Sequence, residues 1–263
     1  MIIVKIGGGD AINLKTIVKD LASLDQPFIV VHGANALRDR VAKKMGFTKQ
    51  VITSVSGYSS VYSDENAIDT ILMAYSGLRN KRLVEMFQQN NINAVGLSGI
   101  DGRMVQGARN KGIRVVENGK KIIRRDFSGK PRSINADLLN LLISNGYTPV
   151  LTIPICDENG FAINSENDDI VCELQLALSA DTVVQLIEAE GLMEDFNNPD
   201  SVIRKMSHAE LQLKEDTVDG RIKRKIHALN KLARNGVKRI IICDGRTDTP
   251  VTSGLSGSGT LIQ

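Results

Sequence analysis

Apolar and polar positions along this chain switch repeatedly between two periods. Ile2–Ile6 is a short β-branched run that reads as a strand, and residues 13–24 carry helical spacing behind Asn13 as N-cap. Residues 28–31 form a second buried strand, followed by His32-Gly33-Ala34-Asn35 and a helix to about Met45. Ser63-Asp64-Glu65 opens a long helix to about residue 90, whose apolar stripe includes Ile68, Ile71, Leu72, Tyr75, Leu78, Leu83 and Phe87. A strand at 93–97 is ended by Ser98-Gly99. Residues 103–125 alternate and turn at Glu117-Asn118-Gly119, the strongest short-range hairpin signal in the chain. Helix at 134–143, strand at 148–153, helix at 168–178 and strand at Thr182–Ile187 follow. A long basic helix at 219–234, a strand at 238–243 and a glycine-rich turn at 253–260 before a short strand complete the pattern. The alternation predicts an α/β fold: a three-layer αβα arrangement with a central, mostly parallel sheet.

Length and composition narrow the function classes. The chain has 263 residues, room for one large or two modest domains, and a net charge of +3, too small for a global nucleic-acid or membrane role. Tryptophan is absent and aromatics are few, which argues against stacking on single strands. Cys156, Cys172 and Cys243 are scattered without a Cys-x-x-Cys, as are His32, His208 and His227, so neither a disulfide framework nor a metal site is expected. No stretch approaches a membrane span and the start shows no signal-peptide pattern, so a soluble, cytoplasmic protein is expected.

The chemistry concentrates at strand ends. Lys5-Ile6-Gly7-Gly8-Gly9 puts a lysine on the last residues of the first strand and glycines behind it. Backbone N–H groups of such a turn with a nearby ammonium suit phosphate oxygens, although a tight strand–helix turn needs the same glycines. Neither a Walker loop nor a dinucleotide fingerprint is present. Glycine turns also follow His32 and Ser98, and in a parallel sheet all three gather at one edge, suggesting a phosphorylated ligand. Asn164-Ser165-Glu166-Asn167-Asp168-Asp169 makes an acidic helix start; one carboxylate there could stand between two lysines. Gly220-Arg221-Ile222-Lys223-Arg224-Lys225 opens the basic helix, where cations oppose the macrodipole unless an anion is near.

Taken in order, Lys5-Ile6-Gly7-Gly8, His32-Gly33, Gly96-Leu97-Ser98-Gly99-Ile100-Asp101-Gly102, Ala162-Ile163-Asn164 with Asp168, and the basic motif resemble the amino acid kinase family. The resemblance spans essentially the whole chain and lies within the N-acetylglutamate kinase-like branch, closest to its LysW-carrier aminoadipate/glutamate kinases of lysine and arginine synthesis. It implies a two-lobed fold, an acceptor-binding and dimerisation lobe at 1–175 and a nucleotide lobe at 176–263. It also implies ATP-dependent phosphorylation of a side-chain carboxylate, with Mg2+ bridging the nucleotide phosphates. Lys5 and Lys225 would neutralise charge on the transferring group from opposite sides, and Asp168 would hold both. Amides at Gly7, Gly8, Gly33 and Ala34 would face phosphoryl oxygens; Asn164 and Val61 would line the acceptor; Ile187, Glu188, Gly220 and Lys225 would line the nucleotide. Family members form homodimers.

The chain departs from the family pattern at three places. Ala34 replaces a glycine after His32-Gly33 and would resist a positive φ at a cost of about 1 kcal/mol. Val61 replaces an arginine for the acceptor's α-carboxylate, with Lys49 a possible substitute. Ile187-Glu188 replaces Ser-Asp. Between Arg103 and Arg132 stand ten basic residues against Glu117 and Asp126, a solvated hairpin or the landing site of an acidic carrier protein. Free N-acetylglutamate as acceptor, or a non-catalytic metabolite-binding role, are the alternatives.

Overall fold

The computed structural model describes residues 1–48, 50–53, 55, 59–117, 120–195, 198, 201–218 and 220–263, with the side chains of 53, 59–61, 117 and 220–222 left out. The expectations for Lys49, for the Asn118-Gly119 turn, for Asp219 and for the side chains of Val61, Arg221 and Ile222 therefore lie outside the described residues.

The chain begins β1 (Ile2–Ile6), α1 (Leu14–Leu21), β2 (Phe28–His32) and α2 (Asn35–Met45). After a small hairpin, β3 (Val51–Thr53) and β4 (Ser59–Val61), a continuous helix comprises α3 (Glu65–Ile71), a π-helical stretch (Leu72–Arg79) and α4 (Asn80–Gln89). β5 (Ala94–Gly99), β6 (Val105–Arg109), β7 (Ile113–Glu117), β8 (Lys120–Arg124) and β9 (Gly129–Ile134) precede α5 (Ala136–Ser144) and β10 (Thr148–Cys156). β11 (Ala162–Ile163), α6 (Asn167–Leu178), β12 (Thr182–Ile187) and β13 (Lys205–Met206) follow. The chain closes with α7 (His208–Thr217), α8 (Gly220–Arg234), β14 (Arg239–Asp244), α9 (Pro250–Leu255) and β15 (Thr260–Ile262).

Eleven strands form one sheet, in the order β13-β15-β14-β12-β1-β2-β10-β6-β9, with β5 and β11 also paired to β10. β14, β12, β1, β2, β10 and β5 are mutually parallel; β15, β9 and β11 run against their neighbours. The expected αβα layering is present, and β1 lies at its centre. Ile2, Val4 and Ile6 face a core shared with Ile17, Leu21, Leu83, Phe87 and Val251. Ile3 faces the opposite core, with Ile170, Leu174, Ile226 and Leu229. Strand alternation then puts Lys5 on the face of Ile3, toward α6. No helix among the described residues is long and apolar enough to cross a membrane.

Several elements differ from the pattern reading. α1 ends at Leu21, though Asn13 caps it as expected, accepting from the Thr16 N–H at 3.4 Å. The alternation at 103–125 is two ladders, since β6 pairs with β9 in the main sheet and β7–β8 stand as a separate hairpin. α7 went unread despite its capping box, Ser207 with Glu210. α9 occupies the supposed turn because Asp20, buried on α1, accepts the Val251 and Thr252 N–H groups at 2.6 and 3.1 Å.

The long helix crosses from one core to the other. Ile68 and Ile71 of α3 are buried on the α6 side, Leu83 and Phe87 of α4 on the α1 side. The π-helical stretch lies between them, where β10 has stopped pairing with β2 beyond Leu151. Asn80 is buried there; its Nδ2 donates to the Val150 carbonyl at 2.9 Å and lies 3.1 Å from His32 Nε2. The His32 Nδ1 is 3.3 Å from the Gly33 carbonyl, so the neutral ring protonated on Nδ1 satisfies both contacts.

Burial pushes the His32 pKa down to about 3, with Gly33 opposing and Arg79 and Lys81 reinforcing the shift. Between pH 6.5 and 3 the unfolded chain takes up a proton that the native state refuses, so stability falls as pH falls, by about 1 kcal/mol per unit. Urea denaturation at pH 7 and pH 4.5 is expected to show this loss, reduced in His32→Gln. Equal pH losses in the two proteins would take His32 out of the acid response.

Candidate active site

The parallel strands deliver their loops to one edge. Gly7 follows β1, Gly33 follows β2 and Glu188 follows β12, on the two strands that flank β1. This is the crevice where an open α/β sheet binds ligands.

Lys5 is buried, and its Nζ lies 3.0 Å from Asp168 Oδ1. Asp168 and Asp169 occupy the first turn of α6, where the macrodipole favours negative charge. Lys225, in the second turn of α8, is open to solvent on one side and crowded by protein on the others. Desolvation holds its ammonium below the ordinary lysine range and Lys5 repels it further, while Asp168 and Glu188 oppose. Two cations thus face one crevice. The ion pair at Asp168 joins Lys5 alone; among the described residues none links it to Lys225, which corrects the expectation that one carboxylate grips both lysines.

The glycines are explained by close backbone approach. A Cβ at Gly8 would lie 2.6 Å from the Ala34 nitrogen and 2.8 Å from that of Asn35; one at Gly33 would lie 2.9 Å from the Gly8 nitrogen. The β1–α1 and β2–α2 loops therefore touch main chain to main chain. Gly7 donates its N–H to the Leu186 carbonyl at 2.9 Å and Gly33 to the Ile6 carbonyl at 2.8 Å. The Gly7 and Gly33 amides are thus engaged within the protein rather than turned toward a ligand, contrary to expectation. The Gly8 and Asn35 amides have no main-chain acceptor among the described residues, the Ala34 backbone hydrogen-bonds the Tyr75 hydroxyl, and the Asn35 side-chain carbonyl leans over Gly8. Ala34 sits at φ −152° and ψ 30°, so the positive φ whose strain was expected is not adopted.

Glu188 was read as a nucleotide contact. Its carboxylate fills the space a side chain on Gly9 would need, and its Oε1 accepts the Ala11 N–H at 2.7 Å, clamping the glycine loop. Ile187, half-buried, ends β12 in register with Asp244, and Gly220 begins α8.

Asn164 stands between β11 and α6, four residues before Asp168. Its Nδ2 donates to Ser63 Oγ at 3.0 Å, and its main chain is bonded to Phe127 and Gly129. Beyond Ser63 opens a hollow of about 320 Å³, lined by Tyr62–Asn66 and Arg125–Phe127. Sequence reading missed this wall. Asp126 is buried and accepts from the Ser63 N–H at 3.2 Å and from Ser128 Oγ at 2.6 Å, tying the root of β7–β8 to the start of α3. An acid at the root of a basic arm was the available signal. Arg109 stacks on Phe127, 4.1 Å from the ring centroid, and stiffens the same root. Among the described residues, no three histidine, cysteine, aspartate or glutamate side chains converge to hold a metal ion.

A buried lysine paired with a half-buried aspartate, a second lysine across the crevice and a glycine-built cradle define a phosphoryl-transfer type of site. The sequence profile of the amino acid kinase family matches residues 1–244, and the chain belongs to that family. It is similar to the LysW-aminoadipate kinase of Thermus thermophilus, 37% identical over 269 residues and covering 100% of both chains. The LysW-aminoadipate kinase of Deinococcus radiodurans is 36% identical over 266 residues, covering 100% of this chain and 91% of that one. Among solved structures, N-acetylglutamate synthase from Neisseria gonorrhoeae aligns with a TM-score of 0.77 at 20% identity, over 99% of this chain and 58% of that one. Giardia carbamate kinase aligns at 0.69 and 15% identity, over 100% and 98%. These two establish likeness of fold alone.

Gly8→Ala is expected to fold and to lose phosphoryl-transfer rate by about 10²-fold, the scale for spoiling donors aimed at a transition state. An undiminished rate would exclude the cradle from the reaction.

Proposed function

We propose that this chain uses ATP to phosphorylate the side-chain carboxylate of 2-aminoadipate or glutamate held on a small acidic carrier protein, in lysine or arginine synthesis. The observation that carries this reading is the Lys5–Asp168 pair facing Lys225 across the crevice, in a chain alike from end to end to two kinases named for LysW-aminoadipate.

An ionised carboxylate is already a nucleophile at neutral pH, so the reaction needs no base to remove a proton. Asp168 is accordingly occupied in orienting Lys5. Lys5 would meet the acceptor side of the transferring group and Lys225 the nucleotide side, which suits chemistry resting on positioning and charge stabilisation. The Gly8 and Asn35 amides would hold equatorial oxygens. Asn164 would orient the acceptor. Without a carboxylate cage among the described residues, a divalent cation fits here as one carried on the nucleotide phosphates, where it supplies charge neutralisation. On this reading residues 1–175 bind the acceptor and 176–263 the nucleotide, with β1 between them. The exposed Met73 and Leu78 support a homodimer through the long helix, although most of its apolar stripe lies in its own core. A cytoplasmic location goes with biosynthesis.

The basic arm would receive the carrier. β7–β8 stand clear of the main sheet with Val116 and Ile123 exposed beside Lys120 and Lys121, an apolar centre with a cationic rim.

Hydroxylamine converts acyl phosphates to hydroxamates. With ATP, hydroxamate is expected from carrier-linked aminoadipate or glutamate, falling about 10²-fold or more in Lys5→Met and in Asp168→Asn. Product from free N-acetylglutamate alone would redirect the reading, and none from any acceptor, with ATP still bound, would reduce it to a binding role.

A further inference from the structure

We propose that Arg125, at the root of the β7–β8 hairpin, reads the α-carboxylate of the carrier-linked acceptor; this rests on the acceptor reading above and adds the group that recognises the acceptor's backbone end.

The hollow beside Ser63 has four charged residues in its wall: Asp64, Glu65, Arg125 and Asp126. Two are already engaged. Asp64 caps α3 by accepting the Ala67 N–H at 2.9 Å, and Asp126 is buried on the Ser63 N–H and the Ser128 hydroxyl. Glu65 is turned to solvent. Arg125 is the cation of this wall, and its guanidinium has neither a carboxylate nor a hydrogen-bond acceptor among the described residues. Its position is nevertheless fixed, because the Tyr62 hydroxyl donates to the Arg125 carbonyl at 2.9 Å and Asp126, the next residue, is pinned to Ser63. An arginine held by its main chain at the lip of a polar hollow, with all its donors available, matches the planar fork of a carboxylate.

The order of groups supports the same assignment. Arg125 shares the wall of the hollow with Ser63, Ser63 accepts from Asn164, and Asn164 stands four residues before Asp168, the partner of Lys5. An acidic amino acid linked to a carrier through its amino group presents the α-carboxylate at its carrier end and the reacting carboxylate at the other, as these contacts would require. With the amino group acylated, such a ligand also brings no cation of its own to pair with Asp64 or Glu65.

The test is a binding measurement that needs no turnover. Calorimetry would compare carrier-linked glutamate with the same conjugate bearing an α-carboxamide, on the full chain as wild type, Arg125→Leu and Arg125→Lys. Wild type is expected to bind the carboxamide about 10- to 100-fold more weakly, the range for hydrogen bonds to a charged group. Arg125→Leu is expected to lose as much for the carboxylate and nothing further for the carboxamide, while binding ATP normally; Arg125→Lys should fall between. Equal wild-type affinity for both conjugates, wild-type affinity in Arg125→Leu, independent additive losses, or no binding of carrier-linked glutamate at all would each overturn the assignment. If wild type binds the conjugate in this pattern yet yields no hydroxamate, the kinase reading fails and the Arg125 assignment stands.

Discussion

Asn80 is the constraint from which the first half of the molecule is hung. β2 and β10 separate after two paired residues, and a sheet that opens in its interior leaves main-chain groups and a histidine without partners. One side-chain amide closes the gap, donating to Val150 and meeting His32 while its oxygen takes the Lys81 ammonium at 3.3 Å. Gly96 has no side chain because that amide occupies the space. With the gap closed, the long helix can cross the layer from one core to the other, and α3 can begin beside Ser63.

The reaction centre is built on a different economy. It places two ammonium groups in one crevice, an arrangement that repels itself, and sets a single well-oriented carboxylate against them. Asp168 is favoured by the amino-terminal turn of α6, so its charge is stable even beside Asp169. Glu188 adds negative charge from the other side while holding the glycine loop. Two ammonium groups and two carboxylates thus share the crevice, with Lys5 firmly paired and Lys225 held only by longer-range attraction.

Much of this was legible in the sequence. Each strand of the central parallel set announces itself by a short apolar run, and the glycines behind β1 and β2 were found because only close main-chain approach explains them. Lys5, Asp168, Lys225 and Asn164 came from motifs that keep their order along the chain. What escaped depends on partners far away. α9 is capped by Asp20 from across the chain, and Pro250 in its first turn is the local signal that marks it. Gly33 looks like a ligand contact until the Ile6 carbonyl is seen to claim its amide. Ala34 looked strained because a glycine was expected there, yet its φ is negative. Asp126 was counted as a stray acid in a basic arm, and only the fold shows it buried as the joint between arm and helix.

The pairing of β1 on both sides also has a consequence for how the protein comes into being. β2 follows β1 closely along the chain, but Ile2 must wait for Thr182 before its other edge is covered. A parallel pairing of such long range is slow to find and leaves a row of open amides and carbonyls beside Ile and Val in the meantime. The strand that carries Lys5 thus spends most of translation half-clothed. Protection of that edge in the nascent chain, rather than the stability of the finished sheet, is where this fold is most exposed to aggregation.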